Sequence, residues 1–388
     1  MFLKLTICCG VVGMLARAAA ADELTISQGK ASAVIRLGDE VVGTYRYAPD
    51  LQKPYLIAVS APGSIEQLVA ELDQSPAEEF APGNKVYVAV EQTKLKSDDK
   101  NTEPLWFGDV VNVTQARDGW LRIADGSRWI AARDVVPLKT MVTRLVNLNP
   151  PVIKDRAHPD FYDHPHHKGV WNSIDEVNGI RFWAEQGKIA NVSVEVTKPT
   201  GNPVEMRVVN HWLDLDGQPL LEERTLISVH ANRLFAYDIT FQALERPVTF
   251  EDTKEGMFAI RLTNSMREQF ANGPVVNADG VLGSKDCWGR PSPWIDYVGP
   301  IERNTFGVTI MDDQKNPRKS RYHVSDYGLF SISPFGQESY TKGTDDPQPA
   351  DHLTLKPHES TRYRYGLYIH RGDAVEGHVA EAYAEFAR

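Results

Sequence analysis

Cysteine is scarce: three in 388 residues, and Cys8 and Cys9 fall within a segment laid out as a secretory signal. Lys4 supplies a basic start, Leu5 to Ala16 is apolar, and Ala18-Ala19-Ala20-Ala21 offers small residues for cleavage. Removing residues 1–21 leaves Cys287 alone, which excludes an intrachain disulfide and makes a large core the source of stability. Cys287 itself reads as a packing thiol. No later run approaches the roughly 20 apolar residues that span a bilayer. The expected protein is therefore periplasmic or secreted, without a membrane span. Missing too are Gly-x-Gly-x-x-Gly, a Walker sequence and Gly-x-Ser-x-Gly, which removes dinucleotide oxidoreductases, P-loop enzymes and ordinary α/β-hydrolases. Basic residues are outnumbered: the net charge of -10 becomes -12 once Lys4 and Arg17 leave with the signal. That balance disfavours nucleic acid and suits neutral or cationic ligands.

What is present is β-pattern. Phe235, Tyr237, Ile239 and Phe241 alternate with other residues, as do Val204, Met206 and Val208, and Tyr363, Tyr365, Leu367 and Ile369. Period two marks strands with one face in a core. Turn pairs such as Asp216-Gly217, Asn272-Gly273 and Asp279-Gly280 separate them. The expected class is all-β, a large antiparallel β-sandwich over 22–63 and 140–388. Ser64 and Gln67 suggest a capped helix in a linker over 64–83. A C-terminal helix is expected from Asp373 and Glu376 to Phe386, with Val375, Val379, Tyr383 and Phe386 as its apolar face.

Residues 84–139 differ in character. Short strands are expected at 85–90, 109–113, 120–123 and 128–131. The sequence Gly108-Asp109-Val110-Val111-Asn112-Val113, then Gly119-Trp120, Trp129-Ile130 and Asp134-Val135-Val136, resembles bacterial SH3-like domains. The resemblance implies a small barrel inserted into the sandwich, with a peptide or peptidoglycan as its partner.

Chemistry concentrates in Asp163-His164-Pro165-His166-His167-Lys168-Gly169. Crowded imidazoles disfavour one another's protonation, so such a run is most easily explained as a binding or proton-transfer site. One of His164, His166 and His167 could act as general acid or base, with Asp163 and Lys168 placing a ligand. Alternatively, His164 and His166, two apart, could chelate a divalent metal. Glu251-Asp252-Thr253-Lys254-Glu255-Gly256 is a second charged cluster, in which Lys254 or Glu255 would be the partner acid or base. Trp171, Trp288 and Trp294, with Phe182 and Trp183, could stack on sugar rings, with Asp175, Glu251 and Arg290 binding hydroxyls. Arg144, Glu222 and Arg224 are further candidates.

The histidine run with Val170-Trp171, followed by Val177-Asn178-Gly179, Phe182-Trp183, the 251–256 cluster, Ile260-Arg261, Trp288-Gly289-Arg290 and Trp294-Ile295-Asp296-Tyr297, resembles a family labelled "methane oxygenase PmoA". The enzyme subunit of that name is a multi-span membrane copper protein, so its activity does not transfer to a chain without spans. The resemblance implies instead an exported sandwich similar to the galactose-mutarotase-like supersandwich, whose concave face binds sugars. Three functions follow as expectations: a carbohydrate-active lyase, epimerase or hydrolase; a metal-dependent enzyme with histidine ligands; or a non-catalytic glycan- or cell-wall-binding protein.

Overall fold

The computed structural model of the chain describes residues 23–59, 85–88, 92–93, 95–97, 105–106, 110–124, 128–137, 164, 166–262, 266–268, 274–301 and 304–388. The expected signal over 1–21, the helical linker over 64–83, the turn at Asn272-Gly273, Arg144 and Asp163 lie outside them.

Two eight-stranded antiparallel sheets dominate. The first runs, edge to edge, through Leu24–Gln28, Ser32–Leu37, Glu40–Arg46, Tyr55–Ile57, Val170–Asn172, Phe258–Arg261, Leu329–Ser333 and Arg321–Val324. The second runs through Lys188–Lys198, Val204–Leu213, Pro219–Val229, Leu234–Ala243, Ser360–Arg371, Asn304–Asp312, Trp294–Ile301 and Val275–Asn277. The alternating residues read as core-facing do enter the core: Met206, Phe235, Ile239 and Leu367 are buried with Ile35, Leu56, Phe258 and Phe330 of the first sheet. Phe258 lies 4.8 Å from Tyr237 and 6.0 Å from Tyr365, ring centre to ring centre, so the sheets meet face to face. The all-β, antiparallel expectation holds.

A separate five-stranded sheet contains Trp129–Ala131, Trp120–Ile123, Val110–Arg117, Lys85–Val88 and Val135–Pro137, in that order. It has its own apolar cluster, with Val86, Val88, Val113, Leu121, Ile123, Ile130 and Val135. In sequence it falls between Tyr55–Ile57 and Val170–Asn172, which are neighbours in the first sheet and pair Leu56 with Val170.

The C-terminal helix is shorter than its pattern predicts, Val379–Phe386. Asp373 instead accepts the backbone N–H groups of Val375 and Glu376, closing a turn ahead of the helix. Val375, placed by its spacing on the apolar face, is 82% exposed. Val379, Ala382 and Phe386 are the residues the helix buries.

Candidate functional site

The histidine run enters the first sheet through Gly169, whose φ is +57°. A Cβ at that position would stand 2.2 Å from the Leu56 carbonyl oxygen. Only glycine tolerates both the left-handed backbone and this close approach. Before it, the His167 N–H donates to the His164 carbonyl at 3.0 Å, folding the run into a turn.

That turn builds a column of four rings. Tyr327, from the turn joining Arg321–Val324 to Leu329–Ser333, stacks on His164 at 5.3 Å. His164 stacks on His167 at 4.6 Å with an interplanar angle of 1°, and His167 stacks on Trp171 at 5.3 Å. His166 meets both other histidines edge-on, and Trp183 meets His167 edge-on.

Protonation in this column follows from its hydrogen bonds. Arg261 Nη1 lies 3.0 Å from His167 Nδ1. A guanidinium can only donate, so Nδ1 accepts and the neutral ring carries its proton on Nε2. Burial first, and the Arg261 charge second, hold His167 well below the usual histidine range. For His166, burial and then the Lys53 charge lower the pKa to about 4. Lys53 is 1% exposed; its Nζ donates to the His166 carbonyl at 2.7 Å and to Glu185 at 2.8 Å. Lys168 Nζ binds both oxygens of the same carboxylate at 2.7 and 2.8 Å. Burial drops Lys53 to about 8 against the pull of Glu185.

The site continues along the sheet. Trp171 pairs with Ala259, Ala259 with Ser331, and Ser331 with His323, one row across four strands. Residues in register across a sheet share a face. Trp171, Ala259 and Leu329 form a cluster with Trp183, apart from the main core. At the far end, His323 meets Trp288 edge-on at 6.0 Å, and Trp288 lies 5.2 Å from Tyr340. Tyr340 donates its hydroxyl to the Lys254 carbonyl at 2.6 Å. His323 is pushed down to about 4 by burial, with the charges of Lys254 and His164 also acting on it. Lys254 Nζ stands 3.6 Å from Glu255, whose carboxyl burial raises.

His323 makes stability depend on pH. The unfolded histidine takes a proton near pH 6.5, and the folded one only near 4, so stability falls with acid across that window. At ~1.4 kcal/mol per pKa unit the loss is about 3 kcal/mol. Urea titrations of His323→Gln and the parent from pH 7 to 4 should show the variant losing less by about that amount. Parallel curves would remove His323 as the cause.

Several expectations need correction. Trp171, read as a sugar platform, is 2% exposed because Trp183, His167 and the sheet cover it. His167, read as catalytic, is sealed, with Nδ1 held by Arg261. Trp294 packs with Met311, Ala382 and Phe386 beneath the C-terminal helix, because it sits on the other sheet. Arg290 donates to the Asp286 carbonyl within its own turn, Asp175 pairs with Arg181, and Glu251 pairs with His352 at 2.7 Å. Glu222 pairs with Arg224 and His211 on the second sheet. Among the described residues no three His, Cys, Asp or Glu side chains are grouped to hold a metal, so His164 and His166 gain no third ligand there. Cys287 is buried, as a packing thiol should be, and burial pushes it up to about 11.

His164, His166, Lys168, Lys254, Glu255 and Trp288 remain along one face. Sequence reasoning missed Lys53, Glu185, His323, Tyr327 and Tyr340, and it named Arg261 only within the Ile260-Arg261 motif, without a role. Arg261 alone left a signal, a cation closing the apolar strand Phe258–Arg261.

Residues 137–385 match the model of a family of unknown function, DUF6807. No protein of curated function matches the chain. Among solved structures, a beta-arabinopyranosidase aligns at 13% identity and TM-score 0.24, over 74% of this chain and 40% of that one. A polysaccharide lyase aligns at 11% and 0.28, over 94% and 35%. A GalM/aldose epimerase homologue from C. elegans aligns at 8% and 0.26, over 90% and 99%. The chain thus spans well under half the length of the first two.

Proposed function

The chain belongs to the DUF6807 family, and from its site we propose that it binds a carbohydrate on the outer face of the first sheet and moves a proton on it. One observation carries this reading. A single face holds a half-buried histidine pair, His164 and His166, an exposed ammonium, Lys254, and an aromatic surface at Trp288. An indole face stacks on sugar C–H bonds, while convergent polar groups bind hydroxyls. His164 is the acid or base, because His167 is sealed and His166 is held at about 4. Lys254 and Glu255 form the second acid–base pair, burial making the Glu255 carboxyl hold its proton more tightly than an exposed one.

The field at this face favours a sugar carrying a carboxylate. Lys53, Arg261 and Lys254 each depress a neighbouring histidine, and Lys168 adds a fourth cation. Among the described residues, Glu185 pairs with Lys53 and Lys168, and Glu255 with Lys254. Fixed positive charge stabilises an anionic ligand, or an oxyanion that forms during reaction.

The test is a turnover screen on neutral and uronate oligosaccharides with His164→Ala, His166→Ala and Lys254→Ala. His164→Ala should lower kcat by about 10²-fold or more, the usual worth of a positioned proton-transfer group. Undiminished turnover in all three variants would take this face out of the mechanism. Tight binding by the parent with no turnover would leave a glycan-binding protein. Export, and peptide or peptidoglycan binding by the small five-stranded sheet, belong to the same proposal. N-terminal sequencing of the protein from a secreting host checks the first.

A further inference from the structure

The second sheet buries an acid and a base that the face of the first does not use. Asp296, Thr309 and His370 come from the neighbouring strands Trp294–Ile301, Asn304–Asp312 and Ser360–Arg371, and all three are buried. Asp296 pairs with Thr309 and Thr309 with Tyr368, two positions before His370. The group therefore shares the face on which Trp294 and Met311 lie beneath the C-terminal helix.

Both nitrogens of the His370 ring meet acceptors. Nδ1 lies 3.1 Å from the Arg371 carbonyl oxygen. Nε2 lies 3.0 Å from Asp296 Oδ1, which also accepts from Thr309 Oγ1 at 2.8 Å. A carbonyl only accepts, so Nδ1 carries a proton. The proton between Nε2 and Asp296 belongs to the ring, because imidazole is the stronger base by about two to three pKa units. The ring is thus an imidazolium paired with a carboxylate. It is also clamped, since a Cβ on Gly307 of the sheet or on Gly377 of the covering turn would overlap it. Tyr368 stacks on the ring at 5.3 Å and donates its hydroxyl to the Gly377 carbonyl at 3.0 Å, fastening the turn over the pair.

We propose that His370 is a proton-operated latch: as an imidazolium held between Asp296 and the Arg371 carbonyl it keeps residues 372–386 on the second sheet, and its deprotonation releases them. Loss of one proton turns one of the two hydrogen bonds into a contact between acceptors. If Nδ1 gives it up, the ring repels the carbonyl where the strand ends. If Nε2 does, Asp296 keeps a buried charge answered among the described residues by Thr309 alone. Burial pulls the His370 pKa down, but the hydrogen bond and charge of Asp296 outweigh it, with help from the Arg371 carbonyl and Asp373, and the net shift is upward. Gly307 and Thr309 bring no charge, and burial keeps the Tyr368 phenol protonated. The latch is therefore fully closed below the ordinary histidine pKa and opens as pH rises through the folded one. It lies on the other sheet and does not depend on what the first sheet binds.

Protein labelled with ¹⁵N-histidine should show both His370 nitrogens protonated at pH 7, the signal being assigned by its loss in His370→Gln. Hydrogen exchange of the parent, followed by mass spectrometry from pH 7 to 10 and corrected for the intrinsic rate, needs no variant. Protection of 372–386 should fall relative to the rest of the second sheet, by about tenfold for each unit by which folding raises the histidine. A neutral His370 ring at pH 7, or protection of 372–386 that keeps step with the sheet throughout, overturns the proposal.

Discussion

Glu185→Ala is expected to destabilise the protein by about 3–5 kcal/mol at pH 7, the range for removing one partner of a buried ion pair. Glu185 answers two ammonium groups, and Lys53 is the costly one, since it lies almost wholly out of water. Its lowered pKa of about 8 says that burial already outweighs the attraction of Glu185. Without the carboxylate, Lys53 must stay charged in an apolar setting or give up its proton, and either choice costs the folded state. Lys168 is partly exposed and can turn to solvent, so it adds less. Pairing Lys53→Met with Glu185→Leu should recover most of the loss, because an apolar pair of similar volume needs no solvation. Urea unfolding of the two singles and the double measures this. A loss below about 1 kcal/mol for Glu185→Ala would mean that the cluster is solvated and does not hold the His166 backbone.

Asp312→Asn should act in the opposite direction and grow with pH. Asp312 ends a strand of the second sheet, and its Oδ1 accepts from Asn316 at 2.8 Å and Ser320 at 3.2 Å. Burial nevertheless pushes the carboxyl up to about 7, from an ordinary 3.8. Between those values the folded state holds the extra proton, so stability falls as pH rises through the window. About three pKa units correspond to about 4 kcal/mol, lost in full above neutrality. Asparagine keeps the accepting oxygen and cannot ionise. The variant should therefore lose less stability than the parent between pH 4 and 8, by up to that amount. A parent-minus-variant difference that stays constant over this range would show that Asp312 ionises in the fold as freely as in water.

The two substitutions separate what the sequence discloses from what it hides. Both residues read as ordinary acids in a chain with an acidic excess. Their weight comes from burial among groups remote in sequence: Lys53 and Glu185 are 132 positions apart. The same holds at the site. Arg261 reaches His167 across 94 positions, and nothing near Arg321–Val324 indicates that His323 completes a row begun by Trp171.

The sequence by itself determined the all-β class, because alternation with period two specifies which side chains face a core whatever the partners are. It also determined that three imidazoles would cluster, since four consecutive positions cannot separate them, and that a glycine would end the run. Only the tertiary structure decided which rings are sealed and which remain open, because burial belongs to the packing of distant strands. Trp171 and Trp288 are the same residue type, yet the column of Tyr327, His164 and His167 covers one while the other stays half-open beside His323. Protonation was decided there too, since a histidine's pKa records desolvation and neighbouring charge, and both are properties of the folded sheet face rather than of local spacing.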